Sequence, residues 1–490
     1  MDFTTQKFLE YLKTGKAFAE QYPFLDTAIF TLFQNIEDGI AVQKKNIYRI
    51  KHYFFFLYAF QKYYSFKNLI KPINIPIYKD VKLVLVINSP GSQHYGDSIL
   101  IVENLIERDK KILIIYGNIS DNQEKYLKTL NNVLLLKHEE KIYKTGIIEF
   151  TKNIFHVTFI LKALFNCVKG SSELTELFSK NKGFLLDQFF VNLSHYNYSK
   201  KIIKNNFFKV IFSTNDGNYL ARSYFINANR YGIENIITQH GFSSFVQTKT
   251  IANKVILWLK SDVNYYLQNK FSEERILPLG LPRFDKIREE NITKENNLSL
   301  LFNINNQVKK ICFAFPLHAY NQDIRYYKTY MDEINNVALH LQGRKIKVFI
   351  RAHPNDDIEK FQKYLAKGLT SEILIPHTSF PLVQLLKQMD IFIADFSTSI
   401  IESMLCSIPT LVINFDNHWD KNYPTHNFDS LKGCKMVTDK KKLLSIIESL
   451  LVDKKYCADL IQMQTTFIEE NILNLGCATP QISDYLLRIL

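Results

Sequence analysis

Short apolar runs alternate with amphipathic stretches of helical periodicity along most of the chain. Seven apolar runs lie between residues 82 and 279, and six more lie between residues 310 and 437. Runs such as 82–88 (KLVLVIN) and 111–116 (KILIIY) are apolar throughout most of their length, which is typical of parallel strands buried on both faces. Strands separated by helices predict sheets built with right-handed crossovers. The sequence therefore predicts an α/β protein with two Rossmann-like domains that face a cleft.

The same patterns predict the domain boundaries. Residues 1–80 carry apolar residues at helical spacing and no strand pattern, so we expect an N-terminal helical extension. Residues 81–290 contain the first seven runs and predict one domain. An Asn-rich stretch then leads to residues 305–477, which contain the other six runs and predict a second domain. Residues 478–490 predict a C-terminal helix.

The composition is that of a folded, basic protein. The 490 residues include 61 Lys and Arg against 48 Asp and Glu, which gives a net charge of +13, and 46% are hydrophobic. This composition excludes a disordered, collagen-like or disulfide-framework protein. The positive charge favours an anionic partner and leaves three classes open: a nucleic acid, an acidic membrane surface and a phosphorylated or acidic substrate.

The sequence predicts neither a metal site nor a membrane span. Six cysteines form no C-x-x-C pair and no Cys/His spacing of a zinc site, so we expect no metal and a reduced, cytosolic environment. The first residues lack the features of a secretory signal. The most apolar run, residues 53–60, is too short to cross a bilayer.

Two loops that follow predicted strands of the first domain contain histidines, and parallel sheets bind ligands at the carboxyl ends of their strands. Residues 89–98 contain G-x-x-x-x-G followed by Asp97, where a phosphate-binding loop needs Lys, so an NTPase is excluded. This loop is either a glycine turn or an acceptor-facing loop with His94 in the cleft. His240 and Gly241 suit a general base or a hydrogen-bond donor to phosphate, and the alternative is a histidine bonded at the sheet edge.

Two further residues of the first domain are candidates for the cleft. Asp216 follows a predicted strand, where it supplies either a carboxylate to the cleft or an Asx turn. Arg283 lies in the rigid turn GLPRFD, residues 280–285. It either reaches the cleft or forms a salt bridge with Asp285.

The second domain contains a candidate phosphate site. Arg351 and His353 end a predicted strand and together suit an anion, although a turn histidine without a ligand is the alternative. Ser397, Thr398 and Ser399 begin a helix, where hydroxyl groups, backbone N–H groups and the helix dipole favour phosphate. Glu402 follows one turn later and suits the vicinal hydroxyls of a ribose.

The order of these motifs resembles that of GT-B glycosyltransferases of bacterial surface-polysaccharide biosynthesis. The QHG loop, GLPRFD, RAHP and DFSTSIIESMLCSIPTLVI are most similar to the pattern of teichoic-acid polyol-phosphate transferases and related capsule polymerases, over about residues 235–416. The family's Trp-His-Gly-Thr-Pro-Leu-Lys loop is replaced here by Gln-His-Gly-Phe-Ser-Ser-Phe. The segments Asn215-Asp216-Gly217 and His353-Pro354 are more weakly similar to bacterial sialyltransferases and Kdo transferases, which use CMP-sugars.

The resemblance implies roles for individual residues. His353 and the hydroxyl residues 397–399 would hold the donor's phosphates, Glu402 would bind the ribose, and His240 would lie near the reacting centre. We expect the first domain to bind the acceptor and the second to bind the donor. His240 or Asp216 would then activate the acceptor hydroxyl.

We therefore expect a metal-independent glycosyltransferase that moves a sugar from a UDP-, GDP- or CMP-activated donor to a growing surface polysaccharide, lipopolysaccharide or lipid-linked glycan. The alternative is a CDP-polyol phosphotransferase, a teichoic-acid-like capsule polymerase. We expect no cofactor besides the nucleotide-activated donor. Nucleic-acid binding is disfavoured, and the expected location is the cytoplasm, peripheral at the inner face of the cell membrane.

Overall fold

A computed structural model gives the fold of the protein. It describes residues 3–14, 16–22, 25, 29, 32, 76–88, 92–138, 147–215, 219–239, 241–244, 247–287, 290, 297–305, 307–315, 324–341, 344–353, 362, 374–375, 380–419 and 426–490. Most of the predicted N-terminal extension, including the apolar run 53–60, lies outside these residues. Of its described residues, Phe3–Thr14 and Lys16–Gln21 form helices, whereas residues 76–80 are not helical.

The first sheet has seven parallel strands in the order β3-β2-β1-β4-β5-β6-β7. Every residue of β1 and β2 is buried, because helices cover both faces of the sheet. All seven strands coincide with runs predicted from the sequence. They are β1 (Leu83–Ile87), β2 (Ile112–Tyr116), β3 (Val133–Lys137), β4 (Val210–Ser213), β5 (Glu234–Thr238), β6 (Lys254–Ile256) and β7 (Ile276–Leu277).

The second sheet has six parallel strands in the order β10-β9-β8-β11-β12-β13. Both sheets therefore contain the strand order 3-2-1-4-5-6 of a doubly wound α/β domain, which confirms the predicted fold class. The six strands again match the predicted runs. They are β8 (Lys309–Phe315), β9 (Ile346–Ala352), β10 (Leu374–Ile375), β11 (Ile391–Ala394), β12 (Thr410–Ile413) and β13 (Lys435–Val437).

Helices connect the strands and cover the sheets. Some begin at side-chain caps, as where Ser120 and Gln123 form a reciprocal capping box. The described helices are α1 (Phe3–Thr14), α2 (Lys16–Gln21), α3 (Ser92–Glu107), α4 (Asp121–Thr129), α5 (Ile147–Val168), α6 (Ser172–Lys180), α7 (Lys182–Lys204), α8 (Tyr219–Arg230), α9 (Lys260–Gln268), α10 (Pro282–Ile287), α11 (Leu298–Leu301), α12 (Ile324–Leu341), α13 (Leu382–Leu386), α14 (Ser399–Leu405), α15 (Leu443–Val452), α16 (Lys454–Asn471) and α17 (Ala478–Ile489). None of them is long and apolar enough to cross a membrane.

One apolar cluster joins the two domains. On the side of the first domain it contains Phe242, Trp258 and Phe284, and on the side of the second it contains Phe392 and Trp419. All five side chains are buried. The interface between the sheets is therefore a continuous core, which fixes the cleft between the domains.

The C-terminal segment crosses from the second domain back to the first. After α16, the backbone N–H of Leu473 donates to the carbonyl of Trp258 at 3.0 Å. Helix α17 then packs Ile482 and Leu486 into the core beneath the first sheet. Asp285 caps α17, because its carboxylate accepts from the backbone N–H groups of Ala478 and Thr479.

Gly280 lies where this crossing segment touches the GLPRFD turn. Its φ is +87°, and a Cβ atom there would lie 2.4 Å from the carbonyl oxygen of Leu473. We expect Gly280→Ala to lower the free energy of unfolding by about 2–4 kcal/mol, since left-handed strain and overpacking add. Gly476→Ala is the matched control, because Gly476 has φ +83° but no atom within 4 Å of a Cβ. Equal losses for the two variants in urea denaturation would contradict the close contact.

Candidate functional site

The strand order of the second sheet determines where its ligand crevice opens. Strands β8 and β11 are neighbours at the centre of the sheet. Strand β9 pairs with the outer side of β8, and β12 pairs with the outer side of β11. In doubly wound sheets a ligand crevice opens at such a switch point, which here lies between the ends of β8 and β11. Residues 395–399 follow β11 and begin at this crevice.

The hydroxyl residues at the start of α14 form a compact turn. The backbone N–H and the hydroxyl of Ser399 both donate to Ser397 Oγ, at 3.3 and 2.9 Å. The helix N-cap is Thr398, whose side chain forms no capping bond, so the hydroxyl that accepts from a backbone N–H at this helix start is that of Ser397. The turn brings the hydroxyl groups of Ser397 and Ser399 together at the switch point, with Thr398 between them in the chain. The role of this turn as a phosphate site stays a prediction.

Glu402 is the first member of a buried charge network. Only 3% of the residue is exposed, and its Oε1 lies 3.1 Å from Arg283 Nε. Arg283 Nη1 lies 3.1 Å from Asp97 Oδ2, and the backbone N–H of Arg283 donates to Asp97 Oδ1 at 3.1 Å. Because Asp97 belongs to α3 and Glu402 to α14, the guanidinium links the two domains. Arg283 thus reaches the interface, while Asp285 caps α17.

The network holds two carboxylates and one guanidinium. Burial raises the pKa of Asp97 and of Glu402, whereas Arg283 lowers the pKa of each. The Asp97 carboxylate also raises the pKa of Glu402, and the Asp285 carboxylate raises that of Asp97. Arg283 is therefore the cation that both buried acids share and that favours their ionised forms, and Arg351 adds to this effect at Glu402.

Arg351 and His353 lie at the carboxyl end of β9, as predicted. Arg351 Nη2 donates to the carbonyl of Phe380 at 2.9 Å. Burial lowers the pKa of the Arg351 guanidinium, and the nearby Cys312 thiol and Glu402 carboxylate oppose that shift. His353 is half-buried directly after the strand. The two side chains supply a cation and an imidazole at the carboxyl edge of the second sheet.

The loop that carries His240 is held from both sides. Gln239 Nε2 donates to the carbonyl of Gly241 at 3.0 Å, to Ser243 Oγ at 3.0 Å and to Asp262 Oδ2 at 2.8 Å. Gly241 has φ +70°, in the left-handed region that favours glycine. The backbone on either side of position 240 is therefore fixed.

Three of the predicted residues are not fully described. His240 and Asp216 lie outside the described residues, and His94 is described only by its backbone, in the first turn of α3. Their proposed roles stay predictions from the sequence.

Aromatic rings connect the His240 loop with the hydroxyl turn. Phe396, next to Ser397, lies between Phe242 of the loop and His426 of the second domain, with ring centroids 4.9 and 5.4 Å away. Phe428 lies 5.2 Å from the same ring. The His240 loop of the first domain and the hydroxyl turn of the second therefore share one packed contact.

Sequence reasoning missed two functional candidates, Asp97 and Asp262. Asp97 served only to exclude a phosphate-binding loop, and Asp262 resembled an ordinary acidic residue in the first turn of a helix. Both are buried at the interface. Within the described part of the chain, no group of three or more His, Cys, Asp and Glu side chains is arranged to hold a metal ion.

Comparison with known proteins gives a family match for the C-terminal part of the chain. Residues 259–469 match the family described as CDP-Glycerol:Poly(glycerophosphate) glycerophosphotransferase. The matched range contains Arg283, Arg351, His353, the hydroxyl turn and Glu402. A search of curated protein sequences finds no significant match.

Solved structures with the same fold cover nearly the whole chain. The Staphylococcus aureus MnaA structure with UDP has 11% identity and a TM-score of 0.53, and covers 84% of this chain and 98% of its own. The Methanocaldococcus jannaschii UDP-GlcNAc 2-epimerase with UDP-GlcNAc and UDP has 14% identity and a TM-score of 0.51. The match covers 83% of this chain and 100% of the epimerase chain. The wall teichoic acid polymerase TagF has 13% identity and a TM-score of 0.50, with 94% and 97% covered. These likenesses show the GT-B fold.

Proposed function

We propose that the protein transfers a polyol phosphate from a CDP-activated donor to a hydroxyl group of a cell-surface polymer or its lipid-linked precursor. The observation that carries this proposal is the family match over residues 259–469, which contains the whole predicted donor site. The alternative weighed from the sequence thus has better support than the sugar transfer that we expected first. The donor would dock at the β8–β11 switch point.

The reaction forms a bond between the acceptor oxygen and the donor phosphorus that carries the polyol. The pyrophosphate P–O bond breaks, and CMP leaves with the electron pair. His240, or Asp216 in its place, accepts the proton of the acceptor hydroxyl. His353 and the hydroxyl turn at Ser397 stabilise the charge on the departing phosphate. Glu402 is 3% exposed and paired with Arg283, so it would accept hydrogen bonds from the ribose only after local opening of this network.

Sugar transfer stays a second candidate for one reason. The loop after His240 reads Gly-Phe-Ser-Ser-Phe and lacks the Pro-Leu-Lys of the polyol-phosphate transferases that the chain resembles. A loop of this composition removes one cation from the acceptor side of the cleft. A hexose donor would then release a nucleoside diphosphate rather than CMP.

We expect CMP and CDP to raise the thermal stability of the protein, and UDP, GDP and ADP to do so much less. A ligand at 100 times its dissociation constant stabilises the folded state by about 2.7 kcal/mol. The His353→Ala variant should lose most of the shift, because it removes a partner of the phosphates. The exposed His340 provides the matched control, since His340→Ala should keep the full shift. Stabilisation by UDP or GDP alone would contradict the CDP donor.

We also propose that α5 docks on an anionic membrane surface, where the acceptor would be found. Phe155 and Phe159 lie one turn apart on this helix and are 72% and 65% exposed. Lys152 and Lys162 are exposed on the same face. Aromatic rings flanked by lysines suit the headgroup region of acidic lipids.

Flotation with phosphatidylglycerol vesicles tests this surface. We expect the double variant Phe155→Ser, Phe159→Ser to lose most binding, whereas Phe207→Ser, which changes an even more exposed Phe elsewhere, keeps it. Binding that is unchanged in the double variant, or equally strong to phosphatidylcholine, would remove α5 from membrane recognition.

A further inference from the structure

We propose that Asp262 is a positioning residue that couples the His240 loop to the docking of the second domain. Its partner in the second domain is the segment 426–430, here called the docking segment. The inference concerns the same site as the proposed function, and part of its test is independent of that function.

One carboxylate oxygen of Asp262 faces the His240 loop. Oδ2 accepts from Gln239 Nε2 at 2.8 Å, and the same amide group reaches Gly241 and Ser243 on the far side of position 240. The side chain of Gln239 therefore bridges position 240, from residue 239 to residues 241 and 243. A shift of the Asp262 carboxylate would move the amide and, with it, the backbone that carries His240.

The other oxygen faces the second domain. Oδ1 accepts from Asn427 Nδ2 at 2.9 Å and from Ser430 Oγ at 3.2 Å. Both donors belong to the docking segment, 165 and 168 positions away in the chain. One side chain therefore divides its two oxygens between the two domains.

The backbone repeats this link beside the carboxylate. The N–H of Asn427 donates to the carbonyl of Ser243 at 2.8 Å. Ser244 and His426 form an antiparallel bridge. The His240 loop and the docking segment are thus joined by one isolated antiparallel bridge and a neighbouring backbone hydrogen bond, with Asp262 bonded to both.

Asp262 is a completely buried carboxylate whose partners are amides and hydroxyls. Burial raises its pKa, and the hydrogen bonds from Gln239, Asn427, Ser243 and Ser430 lower it. An ionised carboxylate accepts from all of these donors at once, because it has only acceptor sites. A neutral amide at this position would instead turn N–H groups toward some of those donors.

The docking segment also contacts the donor side of the cleft. His426 and Phe428 pack on Phe396, which directly precedes the hydroxyl turn. A displacement of the second domain on donor binding would therefore act on the docking segment and, through Asp262, on the His240 loop. The coupling assembles the acceptor-side base only when the donor domain is in place.

Hydrogen–deuterium exchange measured by mass spectrometry tests the coupling without any assay of transfer. We expect Asn427→Ala, a change in the second domain, to speed amide exchange of residues 239–244 by about tenfold. Asp262→Asn should speed exchange in residues 239–244 and in the docking segment alike. Asp429→Asn is the control, because Asp429 lies in the same segment with an exposed side chain. Unchanged exchange of residues 239–244 in Asn427→Ala would overturn the proposal.

Kinetics with the active donor supply the second arm. We expect Asp262→Asn to lower kcat by about 100-fold with donor KM unchanged, since displacement of a catalytic group by about 1 Å has this effect. The double variant Asp262→Asn, Asn427→Asp again pairs one carboxylate with one amide, with the two positions exchanged. We expect its kcat to be about tenfold higher than that of Asp262→Asn alone. Failure of the second change to restore any activity would argue for a purely structural role. If no donor is turned over, the proposed function fails, and exchange alone decides the coupling.

Discussion

The His240→Ala variant should lose transfer activity by about 10²–10⁴-fold in kcat, the range that a positioned general base contributes. Donor binding should be preserved, because His240 lies on the loop of the first domain whereas the phosphate site lies on the second. The loop itself should stay in place, since Gln239 bonds across position 240 to Gly241 and Ser243. Single-turnover kinetics with saturating donor measures the effect on chemistry.

Two further variants complete this experiment. His340→Ala changes a surface histidine of α12 and should leave kcat unchanged. Asp216→Asn tests the other candidate base. Full transfer by His240→Ala with loss in Asp216→Asn would assign the proton acceptor to Asp216.

The Arg283→Met variant should lose about 3–5 kcal/mol of unfolding free energy, because it leaves Asp97 and Glu402 buried without their cation. Only 2% of Asp97 and 3% of Glu402 are exposed to solvent. Arg344→Met is the matched control: Arg344 forms a similar 2.8 Å pair with Glu448, but at the surface, where such pairs contribute about 0–1 kcal/mol. Equal losses in urea denaturation would contradict the network.

The loss in Arg283→Met should depend on pH in a defined direction. Burial raises the folded-state pKa of Asp97 and Glu402, and removal of the guanidinium raises both further. A carboxyl with a raised folded pKa binds protons on folding, so its contribution is favourable at low pH and is lost as pH rises through that pKa. The deficit relative to the parent protein should therefore be smaller at about pH 5 than at about pH 7.5. A deficit that grows on acidification would contradict this assignment.

The architecture could be predicted from the sequence because its strands are buried on both faces. Such strands appear as uninterrupted apolar runs, as in β1 and β2, where every residue is buried. Strand ends then indicate where chemistry lies, and this placed Ser397 and His353 on the cleft side of the second sheet. Local sequence is therefore sufficient to predict buried strands and the positions at which they end.

The links between the domains could not be predicted in the same way. Arg283 and Asp97 are 186 positions apart, and Asp262 and Asn427 are 165 apart. Neither acid has a local pattern that distinguishes it from a solvated helix residue. Their burial depends on how the two sheets pack together, which only the tertiary structure provides.

The mass of the product tests the central claim most directly. The protein would be incubated with CDP-glycerol, CDP-ribitol, UDP-hexoses, GDP-hexoses and CMP-sugars, each with a lipid-linked glycan primer, and the extended primer analysed by mass spectrometry. We expect the primer to gain a polyol phosphate from one CDP-polyol with release of CMP, and not to be extended by His240→Ala. A primer extended by a sugar, with the CDP-polyols left intact, would contradict polyol-phosphate transfer and establish a glycosyltransferase.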